Sequence, residues 1–301
     1  MRVNLLAVLC MVIFWFKKDK LMFKKTLLAL TLGLSAAALS TQALAETYKV
    51  GTHPTFAPFE FSDKEGNIIG FDLDVIKAIA KANGDEVQIE SMPFDGLIPS
   101  LLTGNIDIII SGMTITDARK KRVLFTNGYY DSNLSFLVKK DKEAVYTSAQ
   151  ALKGKTLCVQ IGTTGHAFAD TVSPGMVKAL NNEPDAILEL TNGGCEAVIN
   201  DRPVNLYYLK KSKLDNVVDV VDPQFKEQVD SFGIAVRKGN FQLAEKLNKG
   251  LKTLEESGQL NALHLKWFGI SPAQEAEQAA AATASDATSA PEPAPAAAAA
   301  Q

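Results

Sequence analysis

The sequence predicts an α/β protein made of two lobes, each a mixed, mostly parallel sheet covered by helices. Three observations carry that expectation. Short β-prone runs alternate with stretches whose apolar residues recur at helical spacing, the signature of repeated βα units. The alternation comes in two groups, before about residue 132 and after about residue 150. The run Ile106–Ile110 is nearly continuously apolar, as a strand covered on both faces requires.

Taken in order, Tyr48–Thr52 reads as a short strand. Asp72–Asn83 places Leu73, Val75, Ile76, Ile79 and Ala80 largely on one helical face, and Gly84 follows as a left-handed stop. Val87–Met92 reads as a strand, Gly96–Thr103 as a helix closed by Gly104, and Ile106–Ile110 as the buried strand. Thr116-Asp117 then caps a short helix through Lys121. In the second group Thr156–Ile161 is a strand and Thr164–Asp170 a helix. Ala186–Leu190 and Ala197–Asn200 read as two further strands, and Val204–Lys210 as a helix. Asn240–Ser257 and Gln259–Phe268 form two closing helices separated by Gly258. Open α/β sheets bind ligands beyond the carboxyl ends of their strands, so two facing lobes would form a cleft there.

Two flanking pieces differ from this middle. Lys24-Lys25, the apolar run Thr26–Leu39 and Ser40-Thr41-Gln42-Ala43-Leu44-Ala45 have the basic, apolar and small-residue regions of a secretory signal peptide. Cleavage is expected after Ala45. The apolar run is short for a membrane span, which needs about 20 residues. Met22-Phe23-Lys24-Lys25 is a better signal start than Met1, so residues 1–21 read as a mis-assigned start. Residues 271–301 are rich in alanine, with Pro291, Pro293 and Pro295 near the end. They read as a disordered tail.

The chain has 301 residues, is 47% hydrophobic, and carries a formal net charge of −3. That charge offers no basic field for nucleic acid. The three histidines show no metal-binding spacing, no G-x-S-x-G occurs, and neither Cys158 nor Cys195 has an obvious histidine partner. No metal, cofactor or catalytic group is expected.

The motifs resemble a known family. Gly70-Phe71-Asp72-Leu73-Asp74-Val75-Ile76-Lys77-Ala78-Ile79-Ala80 looks like the signature of bacterial extracellular solute-binding proteins for polar amino acids, the binding components of ABC importers. The likeness continues through Pro58-Phe59-Glu60-Phe61, Phe94-Asp95-Gly96-Leu97-Ile98-Pro99 and Ser111-Gly112-Met113-Thr114-Ile115-Thr116-Asp117-Ala118-Arg119. It runs on through Gly162-Thr163-Thr164-Gly165 and Asn200-Asp201 to Lys266-Trp267-Phe268-Gly269. The resemblance implies a two-lobed, type II periplasmic-binding-protein fold. Lobe 1 would hold 46–132 and 231–270, and lobe 2 would hold 133–230. The hinges would lie near Tyr130–Leu134 and Val229–Gly233. It also implies hinge closure on a ligand, a periplasmic location, a membrane permease as partner and a monomeric state.

A free amino acid presents a carboxylate and an ammonium, each costly to bury unless paired. The planar fork of Arg119 matches a carboxylate bidentately, and the resemblance gives it that role. Read by itself, Arg119 could equally be a solvated arginine within Arg119-Lys120-Lys121-Arg122. Ser111, the Thr114 hydroxyl and the backbone N–H groups of Gly112 and Thr114 would assist. Gly162-Thr163-Thr164-Gly165 follows a strand and opens a helix, so its backbone donors, with Thr163 and Thr164, could clamp the same carboxylate. An ordinary βα turn is the alternative. The segment lacks the pattern of a nucleotide phosphate loop. Asp201 would accept from the ammonium, or cap the helix after Pro203. Phe56 and Phe94 match aromatic positions flanking the ligand side chain.

His53, Gln160 and Asn200 are the remaining matched positions. The resemblance is closest to glutamine-binding members, which carry an acid, a lysine and a histidine there. Neutral groups at all three favour a neutral polar amino acid, glutamine first. An enzyme on the same fold, such as a dehydratase of prephenate-like acids, is the alternative. In this fold the strands near Cys158 and Cys195 would be neighbours, so the pair reads as a disulfide or as two buried thiols.

Overall fold

The computed structural model describes residues 45–212, 214–225, 230–274 and 277. The expected signal peptide, the expected mis-assigned start and the sequence beyond 277 lie outside the described residues.

The strands are β1 (Thr47–Thr52), β2 (Thr55–Phe56), β3 (Glu60–Ser62), β4 (Ile68–Ile69), β5 (Glu86–Ser91), β6 (Ile108–Ile109) and β7 (Val123–Ser132). They continue as β8 (Leu134–Lys139), β9 (Leu157–Gln160), β10 (Val177–Leu180), β11 (Ala197–Asp201), β12 (Val217–Val220) and β13 (Asp230–Arg237). The α-helices are α1 (Phe71–Asn83), α2 (Phe94–Thr103), α3 (Asp117–Lys120) and α4 (Thr164–Val172). They are followed by α5 (Glu183–Thr191), α6 (Arg202–Lys211), α7 (Phe241–Glu256) and α8 (Gln259–Phe268).

Two five-stranded sheets result. The first has the order β5-β1-β6-β13-β7 and the second β10-β9-β11-β8-β12. In the first, β1 runs parallel to β5 and β6, and β13 is antiparallel to β6 and β7. In the second, β9 is parallel to β10 and β11, and β8 is antiparallel to β11 and β12. Both sheets are therefore mixed, with a parallel half and an antiparallel half.

The chain leaves the first sheet at Asn133 and returns to it through β13. The two passages lie side by side, with Ser132 opposite Asp230, Asp131 opposite Ser231 and Tyr130 opposite Phe232. They coincide with the expected hinges, except that Val229 is outside the described residues.

The first sheet is covered by α1 and α7, whose buried Val75, Ile76, Ile79, Leu247 and Leu251 join one apolar core with Val50, Ile108 and Ile234, and Leu263 and Trp267 of α8 pack against that core. On its other face α2 contributes Leu97, Ile98 and Leu101 to a second cluster with Ile106, Ile109 and Ala235. Neighbouring residues of β6 thus feed opposite faces, which is why its run reads as continuously apolar.

The segment Ala186–Leu190, expected as a strand, is the middle of helix α5. Pro184 sits in its first turn, and Ala186, Ile187 and Leu190 are buried at helical spacing. They pack on Leu137, Cys158 and Val198 of the second sheet. The strand of that βα unit is β10, whose central Lys178 and Ala179 are exposed. An edge strand with so little apolar content gives little periodicity to read.

Cys158 and Cys195 form a disulfide with Cα atoms 5.9 Å apart, closing a sequence separation of 37. It ties β9 to the turn entering β11, inside the cluster that seats α5. Chain-entropy reasoning assigns such a loop about 4 kcal/mol, within the usual range of roughly 2–5 kcal/mol. A Cys158→Ala, Cys195→Ala variant is expected to unfold at a correspondingly lower urea midpoint. Equal midpoints for the variant and the oxidised protein would contradict a stabilising role.

Candidate functional site

Loops at the facing ends of the two sheets converge on one cavity. It is lined by His53, Phe56, Glu60, Phe94, Ser111, Gly112, Thr114 and Arg119 from the first-sheet half, and by Gln160, Thr163, Thr164 and Asp201 from the second. Its empty space, open solvent at its mouth included, is about 280 Å³.

Arg119 is placed by a tight local structure. Thr116 caps α3, its hydroxyl oxygen accepting from the Arg119 N–H at 3.2 Å. The guanidinium lies 5.4 Å from the Phe94 ring centroid, within cation–π range. It donates to the Thr114 carbonyl at 2.8 Å and, across the cavity, to the Gly162 carbonyl at 3.1 Å. Burial pulls its pKa down to about 10, so it remains a cation at neutral pH.

Asp201 ends β11 on the opposite wall. Its Oδ1 accepts from the Ser132 hydroxyl at 2.8 Å, and its side chain makes no capping bond to α6. Burial pushes its carboxyl up to about 7, with Asp230 raising it further and Arg119 opposing. Among the described residues no ion pair joins Arg119 and Asp201, and both side chains line the cavity.

The Gly162–Gly165 segment opens α4. Thr163 caps the helix, accepting from the His166 N–H at 3.1 Å and donating to the Gln160 carbonyl at 2.8 Å. The first N–H groups of a helix have no partner within it, so those of Thr164 and Gly165 remain at this helix end. Gly165 is needed for the approach: a Cβ there would lie 2.5 Å from the Ile199 carbonyl oxygen of β11.

His53 and Gln160 meet across the cavity, with Gln160 Nε2 donating to His53 Nδ1 at 2.8 Å. That leaves the imidazole proton on Nε2. Burial lowers the His53 pKa, so the ring is neutral at pH 7. Tyr208 adds another bridge between the halves, donating to the Thr55 carbonyl at 3.1 Å.

Two expectations need correction. Asn200 does not line the cavity. It alternates with Asp201 along β11, so its side chain points to the other face and donates to Asn205 Oδ1 at 3.3 Å. Gly112 does line the cavity, but its N–H is already committed to Asp72 Oδ2 at 2.8 Å and offers nothing to a carboxylate. Conversely, Glu60 was not among the expected residues. It lies within Pro58-Phe59-Glu60-Phe61, and its exposed-looking spacing between two aromatics hides a fully buried carboxyl. The available signal was an acid flanked by apolar residues inside a motif already singled out.

Buried carboxyls dominate the electrostatics. Burial raises Asp72 to about 6, Asp201 to about 7 and Glu183, at the start of α5, to about 8. Unfolded carboxyls titrate near 4. Between about pH 4 and pH 8 the folded state therefore binds more protons than the unfolded state. Stability should fall as pH rises through that window. The lowered His53 acts with the opposite sign and is outnumbered. The ligand-free protein is expected to melt higher at pH 5 than at pH 8, and a melting midpoint that rises across this range would contradict the assignment.

Residues 48–270 match the bacterial extracellular solute-binding proteins, family 3. The chain belongs to this family. A probable histidine-binding protein of Neisseria gonorrhoeae is 35% identical over 252 residues, covering 82% of this chain and 91% of that one. The arginine-binding periplasmic protein of Mannheimia haemolytica is 36% identical over 249 residues, covering 82% and 99%. A solved ancestral arginine-binding protein bound to glutamine aligns with a TM-score of 0.70 at 42% identity, covering 74% of this chain and 98% of that one. The fold is the two-lobed fold of periplasmic amino-acid-binding proteins. Like the relatives, which are named for binding and not for turnover, this family member is a solute-binding protein and not an enzyme.

Proposed function

We propose that this chain binds one free polar α-amino acid in the cavity between its lobes and delivers it to the membrane permease of an ABC importer. It works in the periplasm, as a monomer, after removal of residues 1–45. The observation that carries the reading is the placement of Arg119 and Asp201. A guanidinium and a carboxyl face one cavity from opposite walls and are not paired with each other.

Arg119 holds the α-carboxylate, assisted by the Thr114 hydroxyl and by Thr163 and Thr164 at the α4 start; the Ser111 hydroxyl is committed to Glu60. Asp201 accepts from the ammonium, and a cation there draws its carboxyl into the ionised form. Phe56 and Phe94 flank the ligand side chain. Residues 46–132 and 231–270 move as one lobe against 133–230. Closure is favoured only when a ligand spans the two charges, which supplies the differential affinity a population shift needs.

Neutral His53 and Gln160 suit an amide side chain, so glutamine is the first ligand proposed. A solved relative holding glutamine supports that choice. Glu60 favours a second reading, a cationic side chain, and the names of the histidine- and arginine-binding relatives support it. Calorimetric titration with glutamine, arginine, histidine and glutamate tests both. Tight binding of glutamine is expected. Tight binding of arginine or histidine alone would replace glutamine by the second reading, and glutamate alone would overturn both.

A further inference from the structure

We propose that Glu60 is a proton-exchanging specificity residue. It stays protonated beside an uncharged ligand side chain and releases its proton to solvent when a cationic side chain enters the cavity. The inference rests on the amino-acid-binding reading above, and adds how one cavity can serve two side-chain classes.

Glu60 is fully buried and lines the cavity. Its Oε1 accepts from the Ser111 hydroxyl at 2.8 Å, and that hydroxyl oxygen accepts from the His53 backbone N–H at 3.0 Å. Its Oε2 has no donor among the described residues, and neither does Oδ1 of the equally buried Asp72. The two buried carboxyls lie close enough for the charge of Asp72 to raise the Glu60 pKa. Neither has a cationic partner among the described residues, so burial and mutual repulsion favour a proton on one of them.

The neighbours decide which one. Asp72 Oδ2 accepts from the Gly112 N–H and from the Tyr129 hydroxyl, both at 2.8 Å. Two donors favour its ionised form, whereas Glu60 has the single Ser111 donor. The proton therefore rests on Glu60, held there by burial and by the charge of Asp72.

The other titratable groups facing Glu60 reinforce this. Asp201 of β11 repels a second negative charge, and Tyr129 of β7 and Tyr208 of α6 are neutral near pH 7. The His53 ring is neutral and engaged with Gln160. Among the described residues Arg119 is the one cation lining the cavity, and it is anchored on Thr114 and Gly162. A ligand guanidinium or ammonium would supply the missing countercharge. The exchange balances: Glu60–CO2H and the cation become Glu60–CO2⁻ paired with the cation, and one proton leaves to solvent. An amide side chain instead meets the neutral acid and leaves the Glu60 proton in place.

The test is calorimetry at pH 7 in two buffers of different protonation enthalpy, with arginine and with glutamine. The α-ammonium ionises Asp201 alike with either ligand, so close to one proton more released per arginine than per glutamine is expected. Glu60→Gln should abolish that difference and cut the arginine-to-glutamine affinity ratio at least tenfold. The wild-type proton count stands even where the variant folds poorly. Arginine binding with no more proton release than glutamine binding, an unchanged affinity ratio in the variant, or glutamine binding with no arginine binding would each overturn the proposal. If neither ligand binds, the amino-acid reading falls with it.

Discussion

Arg119→Ala is expected to weaken amino-acid binding by about 30- to 5,000-fold, from the roughly 2–5 kcal/mol lost when one partner of a buried charged contact is removed. The loss follows from what the side chain touches. Its fork is aimed by the Thr114 carbonyl and the Phe94 face, and among the described residues no second arginine or lysine lines the cavity. Nothing there can take over a carboxylate. α3 is only four residues long and contributes no buried side chain, so the variant should keep its melting temperature without ligand. Arg119→Lys keeps the charge and loses the planar fork, so an intermediate loss is expected. Calorimetry on both variants checks the ordering, and unchanged affinity in the alanine variant would place the carboxylate site elsewhere.

The largest stability effect is expected at Gly70. This residue precedes α1 with φ 143°, a conformation close to exclusive to glycine. A Cβ would overlap the carbonyl oxygen of Phe59 and sit 2.9 Å from Glu60 Cα. The clash is with backbone, so no rotamer relieves it. Phe71 and Asp72 donate their N–H groups to Pro58 and Phe59 at 3.0 Å each, and relief would break those bonds. Gly70→Ala should cost about 4 kcal/mol or more. For a domain of this size that is about 10 °C in melting temperature. The displaced segment carries Glu60 and Asp72, so the affinity ratio between cationic and neutral ligands should change with it. A melting temperature within 2–3 °C of the parent, on the order of a surface substitution, would refute the steric account.

Much of this was legible in the residues. Helices with an apolar face and a glycine stop, such as α1 with Gly84, announce themselves through spacing. Most of the cavity residues fall in the singled-out motifs, several of them at or just beyond strand ends such as Gln160 and Asp201, where an α/β sheet places its ligands. What escaped depends on tertiary context. α5 and an exposed edge strand exchange places in a naive reading because Ala186–Leu190 is more apolar than Val177–Leu180. The long antiparallel pair β7 and β13 joins residues about a hundred positions apart, with Ser132 opposite Asp230, a pairing that local periodicity does not encode. Asn200 carries the right residue type on the wrong face of β11. Glu60 reads as one acid among many until burial, Ser111 and Asp72 set its protonation.

The central claim is that one free α-amino acid is gripped at its two charged ends by Arg119 and Asp201. Native mass spectrometry of the purified protein tests it most directly, with the amino acid, its α-amide and its N-acetyl derivative added in turn. A one-to-one complex with the free amino acid alone is predicted, lost in Arg119→Ala. Equal binding of the α-amide or the N-acetyl form would contradict the claim.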